Sequence, residues 1–444
     1  SVGPLEAPSQ PLEATHNDAD HSISDADLHD ALINERADIE EAKTVPKWLL
    51  QTLQDSKLDV PLSYRTRSGS HSASFASDCY AMAASSLCDE NEPVSFDEAQ
   101  NSENWMAAMQ SEYDAIIKTG TWSLCDLPLG KKAIGTKWVY KLKRKPDGTI
   151  DRYKARLVAK GYAQEKGIDF DETFAPTCRM TNVRSICAIA AHRGWNVHQL
   201  DIKTTFLSGD LHEEVYVSQP HGFVQKGHEH KVCRLRKALY GLKQAPRSWY
   251  EKIHAYLIAF GFENSPTEST LYVKRADDVF LIMVVYVDDM LLTGPNEKHI
   301  ADFKADLHAS FEMSDLGHLH HYLGIQFMQV DGGIALCQSK YIDTLLQRFG
   351  LEDCKPIATP METSLRLSLH DVGDAFDVVL YQQAVGCLIY LCITRPDIQF
   401  VVSQMSKFMH CPRVKHWQAV KHIFRYLSGT RSLGLFYPKG GCFF

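Results

Sequence analysis

The stretch from Phe280 to Gly294 reads FLIMVVYVDDMLLTG: an unbroken apolar run, two adjacent aspartates, and a second apolar run at once. Burying two neighbouring carboxylates costs several kcal/mol unless a positive charge meets them. A paired acid at the tip of a buried strand therefore asks for a metal ion. Asp288 and Asp289 equally suit a plain hairpin turn, since Asp is a common turn residue. The stretch alone leaves both readings open.

The surrounding 444 residues are enough for two or three domains, and 44% hydrophobic with 23% charged is ordinary soluble composition. The net charge of −8 hides an uneven distribution. Residues 1–100 carry 19 acidic and 6 basic side chains, whereas the remainder carries 36 acidic and 41 basic. An acidic leader followed by a mildly basic body suggests a polyanionic partner for the body. The twelve cysteines form no CxxC pair and no zinc-finger ladder, which points to free thiols in a reducing compartment. No apolar run approaches the roughly 20 residues of a membrane span, so no membrane partner is expected. No signal peptide precedes Ser1, and both ends read as cuts in a longer product.

Taken in order, residues 1–95 lack sustained periodicity and read as a disordered acidic linker. Order is expected from about Phe96, where Trp105, Met109, Tyr113 and Ile116 recur at helical spacing. Residues 131–166 then hold 12 basic against 3 acidic side chains, with strand centres near Trp138–Tyr140 and Leu157–Ala159 around the turn Pro146-Asp147-Gly148. This is a basic β-hairpin. A solvated surface hairpin would read similarly, but so large a local charge favours phosphate binding.

From Trp195 the expected elements are a strand ending at Asp201, a helix opened by Pro246, the two strands flanking Asp288-Asp289, a helix started by Pro295-Asn296, and a strand Tyr322–Val330. That β-α-β-β-α-β order is the ferredoxin-like split pattern, in which the first strand lies beside the central hairpin. Asp201 would then approach Asp288 and Asp289, and three carboxylates at one end of a sheet make a two-metal site plausible. Residues after Ser339 read as mostly helical. HLHH at His318–His321, with Cys337 not far along the chain, fits no standard zinc spacing.

Several blocks together resemble the reverse transcriptase of Copia-type LTR retrotransposon polyproteins. They are GTKWVYKLKRKPDGTIDRYKARLVAKGYAQ, DETFAPT, QLDIKTTFLSGDLHEEVYVSQPHGF, LYGLKQAPRSWY, YVDDMLLTG, YLGIQF and HWQAVKHIFRYLSGT, spread over roughly residues 104–437. The resemblance implies an α+β, right-hand polymerase with a ferredoxin-like βαββαβ palm, basic β-hairpin fingers and a mostly helical thumb and connection. It divides the chain into a leader (1–95, similar to an integrase-to-polymerase tether), fingers and palm (96–363), and a helical thumb and connection (364–444) that stops before ribonuclease H.

Residue by residue, Asp201, Asp288 and Asp289 match the family's catalytic, metal-binding aspartates, which implies two Mg²⁺ ions with Mn²⁺ as a substitute. Lys154 and Arg156 match cations that hold the incoming triphosphate, although either also suits an ordinary strand edge. Phe206 sits where relatives keep an aromatic gate against a 2′-hydroxyl; a core Phe is the bland alternative. Lys243 and Gln244 are nucleotide-contact candidates in a block that also starts a helix at Pro246. KTTF stands after Asp201 where many relatives have KNAF, a change that removes no metal ligand.

The activity implied is RNA-directed DNA synthesis with dNTPs on a primed RNA or DNA template, alongside integrase and ribonuclease H parts of a polyprotein. The setting implied is cytoplasmic, in a virus-like particle, or nuclear, and not secreted. The alternatives are another acidic-metal enzyme such as a nuclease, and a catalytically silent remnant that only binds nucleic acid.

Overall fold

A computed structural model of the chain describes residues 92–144, 149–276, 278–369 and 371–440. Nearly all of the expected acidic leader (1–91) lies outside the described residues, and so does the hairpin turn at Pro146-Asp147-Gly148.

After a helical turn at Phe96–Ala99, helix α1 (Glu103–Lys118) leads into strands β1 (Trp122–Cys125), β2 (Thr136–Arg144) and β3 (Ile150–Ala159). β2 and β3 pair antiparallel. Alternation puts Trp138, Tyr140, Leu142, Ala155, Leu157 and Ala159 on one face, where they pack with Trp105, Met109 and Ile116 of α1. The other face then sets Lys141 opposite Lys154, Val139 opposite Arg156 and Lys143 opposite Arg152. Like charges directly opposite one another destabilise a ladder. The hairpin is therefore a face of crowded cations backed by a solid core.

Helix α2 (Met180–Arg193) ends on Gly194, whose φ of 70° closes the helix in the left-handed region. Strand β4 (Val197–Ile202) follows, with β5 (Tyr216–Val217) and β6 (Val232–Leu235) forming a small sheet with β1 in the order β1-β6-β5. Helix α3 (Ala245–Ala259) has Pro near its first position. Next come β7 (Glu263–Asn264), β8 (Leu271–Ala276), β9 (Val279–Tyr286) and β10 (Asp289–Thr293). Helix α4 (Glu297–Ser310) is capped by Asn296, whose side chain accepts from the Lys298 N–H at 2.9 Å. It leads to β11 (Met313–His318).

These strands form a six-stranded sheet, β11-β4-β10-β9-β8-β7. β9 explains the unbroken apolar run of the sequence, because both of its faces are covered. Leu281, Met283 and Val285 meet α3 and α4 on one side, while Ile282 and Val284 meet α2 and a second sheet on the other. Each such fully buried side chain contributes about 1.5–3 kcal/mol.

The split βαβ order is present, with one correction. The strand that completes it is β11, not Tyr322–Val330. β11 reads MSDLGH, an edge strand with one buried residue, so it has no apolar alternation to reveal it. Tyr322–Val330 instead breaks at Leu323 and Gly324, both with positive φ, into β12 (His321–Tyr322) and β13 (Ile325–Val330). With β14 (Gly333–Cys337) and the late strand β15 (Leu435–Pro438) they form a separate four-stranded sheet.

Helices α5 (Ser339–Arg348), α6 (Val378–Leu391), α7 (Gln399–Ser406) and α8 (Val414–Gly429) share one core. Ile342, Leu345 and Leu346 of α5 are buried in it. No helix among the described residues is long and apolar enough to cross a membrane.

Candidate active site

β4 and β10 are neighbours, and their register puts Asp201 directly opposite Asp289. β9 and β10 are joined by a two-residue turn, Val287-Asp288, between the paired Tyr286 and Asp289. Asp288 thus stands at the hairpin tip, and its carbonyl accepts from the Ile202 N–H at 2.9 Å. The structure brings all three predicted aspartates to one end of the sheet. Val287 turns the chain there with φ of 56°, a region that β-branched residues rarely enter. The indole N–H of Trp249 on α3, itself buried, donates to the Val287 carbonyl at 2.6 Å and holds that turn.

The electrostatics match the geometry. Burial, reinforced by the neighbouring Asp288, raises the Asp201 carboxyl above its usual value, while Lys154, Arg152 and Arg156 pull it back down. Burial and then Asp288 push Asp289 up to about 6, against a 3.3 Å hydrogen bond donated by the Gln199 amide. Half-buried carboxylates that resist ionisation beside one another are a site that a cation would relieve. Their all-oxygen donor set suits a hard divalent ion such as Mg²⁺.

The basic hairpin reaches the same place. Its base is fixed where the Ala159 N–H donates to the Tyr240 carbonyl at 2.7 Å. Gly241 (φ 91°) permits that approach, since a Cβ there would meet the Ala159 oxygen at 2.3 Å. The Arg156 guanidinium lies 4.8 Å from the centre of the Tyr240 ring, and the Phe206 ring meets Tyr240 edge-on at 5.0 Å. Tyr240 is thus the hub between the triphosphate-binding candidate and the gate candidate, a role the sequence reading did not assign. Its position within LYGLKQAPRSWY was the available signal. Lys154 is held down to about 8 by burial and by its neighbours Arg156, Lys143 and Arg152.

The remaining candidates are placed differently. Lys243 stacks over Phe170 at 4.5 Å and donates to the Gln164 carbonyl. Gln244 is buried, with its amide committed to Gln164 and to the Asp169 carbonyl. It is held inside the protein, fixing the loop around residues 164–169, and presents no free edge to a nucleotide.

Residues 119–363 match the family described as reverse transcriptase (RNA-dependent DNA polymerase). The chain is 43% identical over 362 residues to the retrovirus-related Pol polyprotein from transposon RE1 of Arabidopsis thaliana, covering 81% of this chain and 25% of that protein. It is 43% identical over 358 residues to the corresponding polyprotein from transposon TNT 1-94 of Nicotiana tabacum, covering 78% and 27%. The chain therefore spans about a quarter of the length of these relatives. A solved foamy viral protease–reverse transcriptase in complex with RNA/DNA hybrid overlays with a TM-score of 0.39 and 12% identity, over 75% of this chain and 38% of that one, too loosely to carry an argument.

Proposed function

The chain belongs to the reverse transcriptase (RNA-dependent DNA polymerase) family, and on that footing we propose that it extends a primer with deoxynucleoside triphosphates on an RNA or DNA template. The observation that carries this reading is Asp201 opposite Asp289, with Asp288 at the adjoining hairpin tip and the cations of β3 acting on Asp201. In polymerase terms the six-stranded sheet is the palm, the β2–β3 hairpin the fingers, and the helices after Ser339 the thumb and connection.

Asp201, Asp288 and Asp289 would hold two Mg²⁺ ions, with Mn²⁺ as a substitute. When bound, such a pair lowers the pKa of the primer 3′-hydroxyl and offsets charge on the departing pyrophosphate. Asp201 and Asp289, in facing register on paired strands, keep the carboxylate spacing fixed. Asp288, on the strained turn, supplies the third. Lys154 and Arg156 bind the triphosphate, Arg156 with the two-pronged geometry that suits phosphate oxygens. Binding an anion there also relieves the repulsion among the facing cations of the hairpin. Tyr240 steers Arg156 and braces Phe206, whose ring would exclude a 2′-hydroxyl. Lys243 and Gln244 hold the loop beneath. Contacts to backbone phosphates position the template–primer without reading its sequence. Integrase and ribonuclease H would lie elsewhere in a longer polyprotein, acting in the cytoplasm within a virus-like particle or in the nucleus.

Primer extension on an RNA template with Mg²⁺, wild type beside Asp288→Asn, tests the reading. The wild type should extend and the variant should not, while both still bind template–primer. Equal extension by both would sink the site assignment. Duplex cleavage without nucleotides, and no extension with them, would favour a nuclease. Binding without either reaction would mark a silent nucleic-acid-binding remnant.

A further inference from the structure

A second group of ligand-type side chains sits on the opposite face of the central sheet from Asp201. Along β4, Val197, Gln199 and Asp201 point one way, and His198, Leu200 and Ile202 the other. His198 is directly opposite His318 on β11, where a register shift after Asp315 brings the two histidines together. Their rings meet edge-on at 4.9 Å. Glu297, the first residue of α4, places a carboxylate oxygen 3.0 Å from His198 Nε2. Three elements, β4, α4 and β11, thus deliver His198, Glu297 and His318, with one ligand atom of each within 4.8 Å of the others.

Two further features point to a ligand. The His198 side chain is only 7% exposed, and its Nε2 is buried without a well-aligned hydrogen-bond partner, the short contact to Glu297 being bent. A buried, poorly satisfied ring nitrogen is costly without a function. The carboxylate is also held in place: Asn196 donates to Glu297 Oε1 at 2.7 Å, leaving Oε2 toward the histidine. Such support of a ligating group from behind is typical of metal sites.

We propose that His198 Nε2, Glu297 and a ring nitrogen of His318 bind one divalent transition-metal cation of the zinc class. Two imidazoles and a carboxylate are a known zinc donor set that leaves a fourth position for water. In a tetrahedral zinc site the donors stand about 3.3 Å apart; Glu297 Oε2 is already 3.0 Å from His198 Nε2, and rotation of the exposed His318 side chain closes the remaining distance. The Lys304 ammonium, 2.9 Å from His198 Nδ1, can only donate, so the ring proton sits on Nε2. Cation binding at Nε2 moves that proton to Nδ1, which breaks the hydrogen bond from Lys304 and turns the ammonium away from the ring. Lys304 then stays with Asp315, to which it already donates through both oxygens at 3.0 Å. No net proton is lost from the ring. The bound cation would clamp the edge strand β11 and the start of α4 onto β4, three residues along from Asp201. This inference is independent of the polymerase reading.

The test uses the full chain, stripped with a chelator and then titrated with Zn²⁺, with retained metal measured by mass spectrometry and Co²⁺ substitution followed by its visible spectrum. Wild type and Asp288→Asn should each retain one tight equivalent and give the intense Co²⁺ bands of a tetrahedral site. His318→Ala and Glu297→Gln, both at exposed positions, should bind at least tenfold more weakly while keeping the wild-type circular dichroism. Retention of no metal by the wild type, or unchanged affinity in both exposed-site variants, would overturn the proposal. Loss of the tight equivalent in Asp288→Asn would also overturn it, because the metal would then belong to the aspartates.

Discussion

The indole N–H of Trp249 donates to the carbonyl of Val287, 2.6 Å away and one residue before Asp288. A helix thereby holds a turn whose backbone its own residue disfavours, at the point where two of the three site carboxylates emerge. A backbone held in such a region costs on the order of 1–3 kcal/mol and persists only where neighbours enforce it.

Trp249→Phe deletes that donor and leaves the part-buried carbonyl unpaired. The expected loss of stability is about 2–4 kcal/mol, from the unmet hydrogen bond and the space left by the smaller ring. The Mg²⁺ concentration for half-maximal extension should rise several-fold. A variant that is merely less stable, with an unchanged Mg²⁺ midpoint, would separate the turn from metal binding.

Asp289 titrates near 6 in the folded chain, against about 3.9 in an unfolded one. The folded state therefore holds the proton more tightly. Its stabilising effect is full below about pH 4 and is lost as pH rises through 6. In chelator, wild-type stability should fall by on the order of 2 kcal/mol between pH 4 and pH 7 from this group. Asp289→Asn keeps an oxygen for Gln199 to bond and should lack that slope. Denaturant melts of both proteins at the two pH values measure the difference; parallel slopes would count against it.

Lys154, held down to about 8, is charged at neutral pH and loses its proton in mildly alkaline buffer. If it binds the triphosphate, KM for dNTPs should climb several-fold from pH 7.5 to 9, and Lys154→Arg should flatten the rise because guanidinium stays charged. Steady-state kinetics across that range decide the matter. A rise of the same size in the arginine variant would assign it to another group.

Phe206 is half-buried and braced edge-on by Tyr240. Phe206→Ala should reduce discrimination against ribonucleotides by at least tenfold, and Tyr240→Leu by less, since the gate would be loosened rather than removed. Competition between dNTP and rNTP incorporation is the readout. Unchanged selectivity in Phe206→Ala would return the ring to a packing role.

Much of this site was legible from the chain because the signals are local. The apolar run of β9, the Asp pair at its tip and the alternating cations of β2 and β3 each occupy one element, and their spacing states which side chains share a face. The β-α-β-β-α-β order even brought Asp201 near the pair. Less was legible where an element lacks an apolar pattern: β11 is a polar edge strand, and Gln244 carries no mark of its burial. β15 pairs with β14 about a hundred residues earlier in the chain, which placed it in a sheet that no local pattern announces.

The sequence by itself determined the carboxylates, the cations and the strands and helices that carry them, since periodicity records how each element divides between core and solvent. Only the tertiary structure decided which elements became neighbours. It set Tyr240 between Arg156 and Phe206, tied Trp249 to the turn at Val287, and closed His198, Glu297 and His318 into one cluster. Those contacts join residues 21 to 120 positions apart. They depend on strand order and register, and no pattern within a single element encodes either.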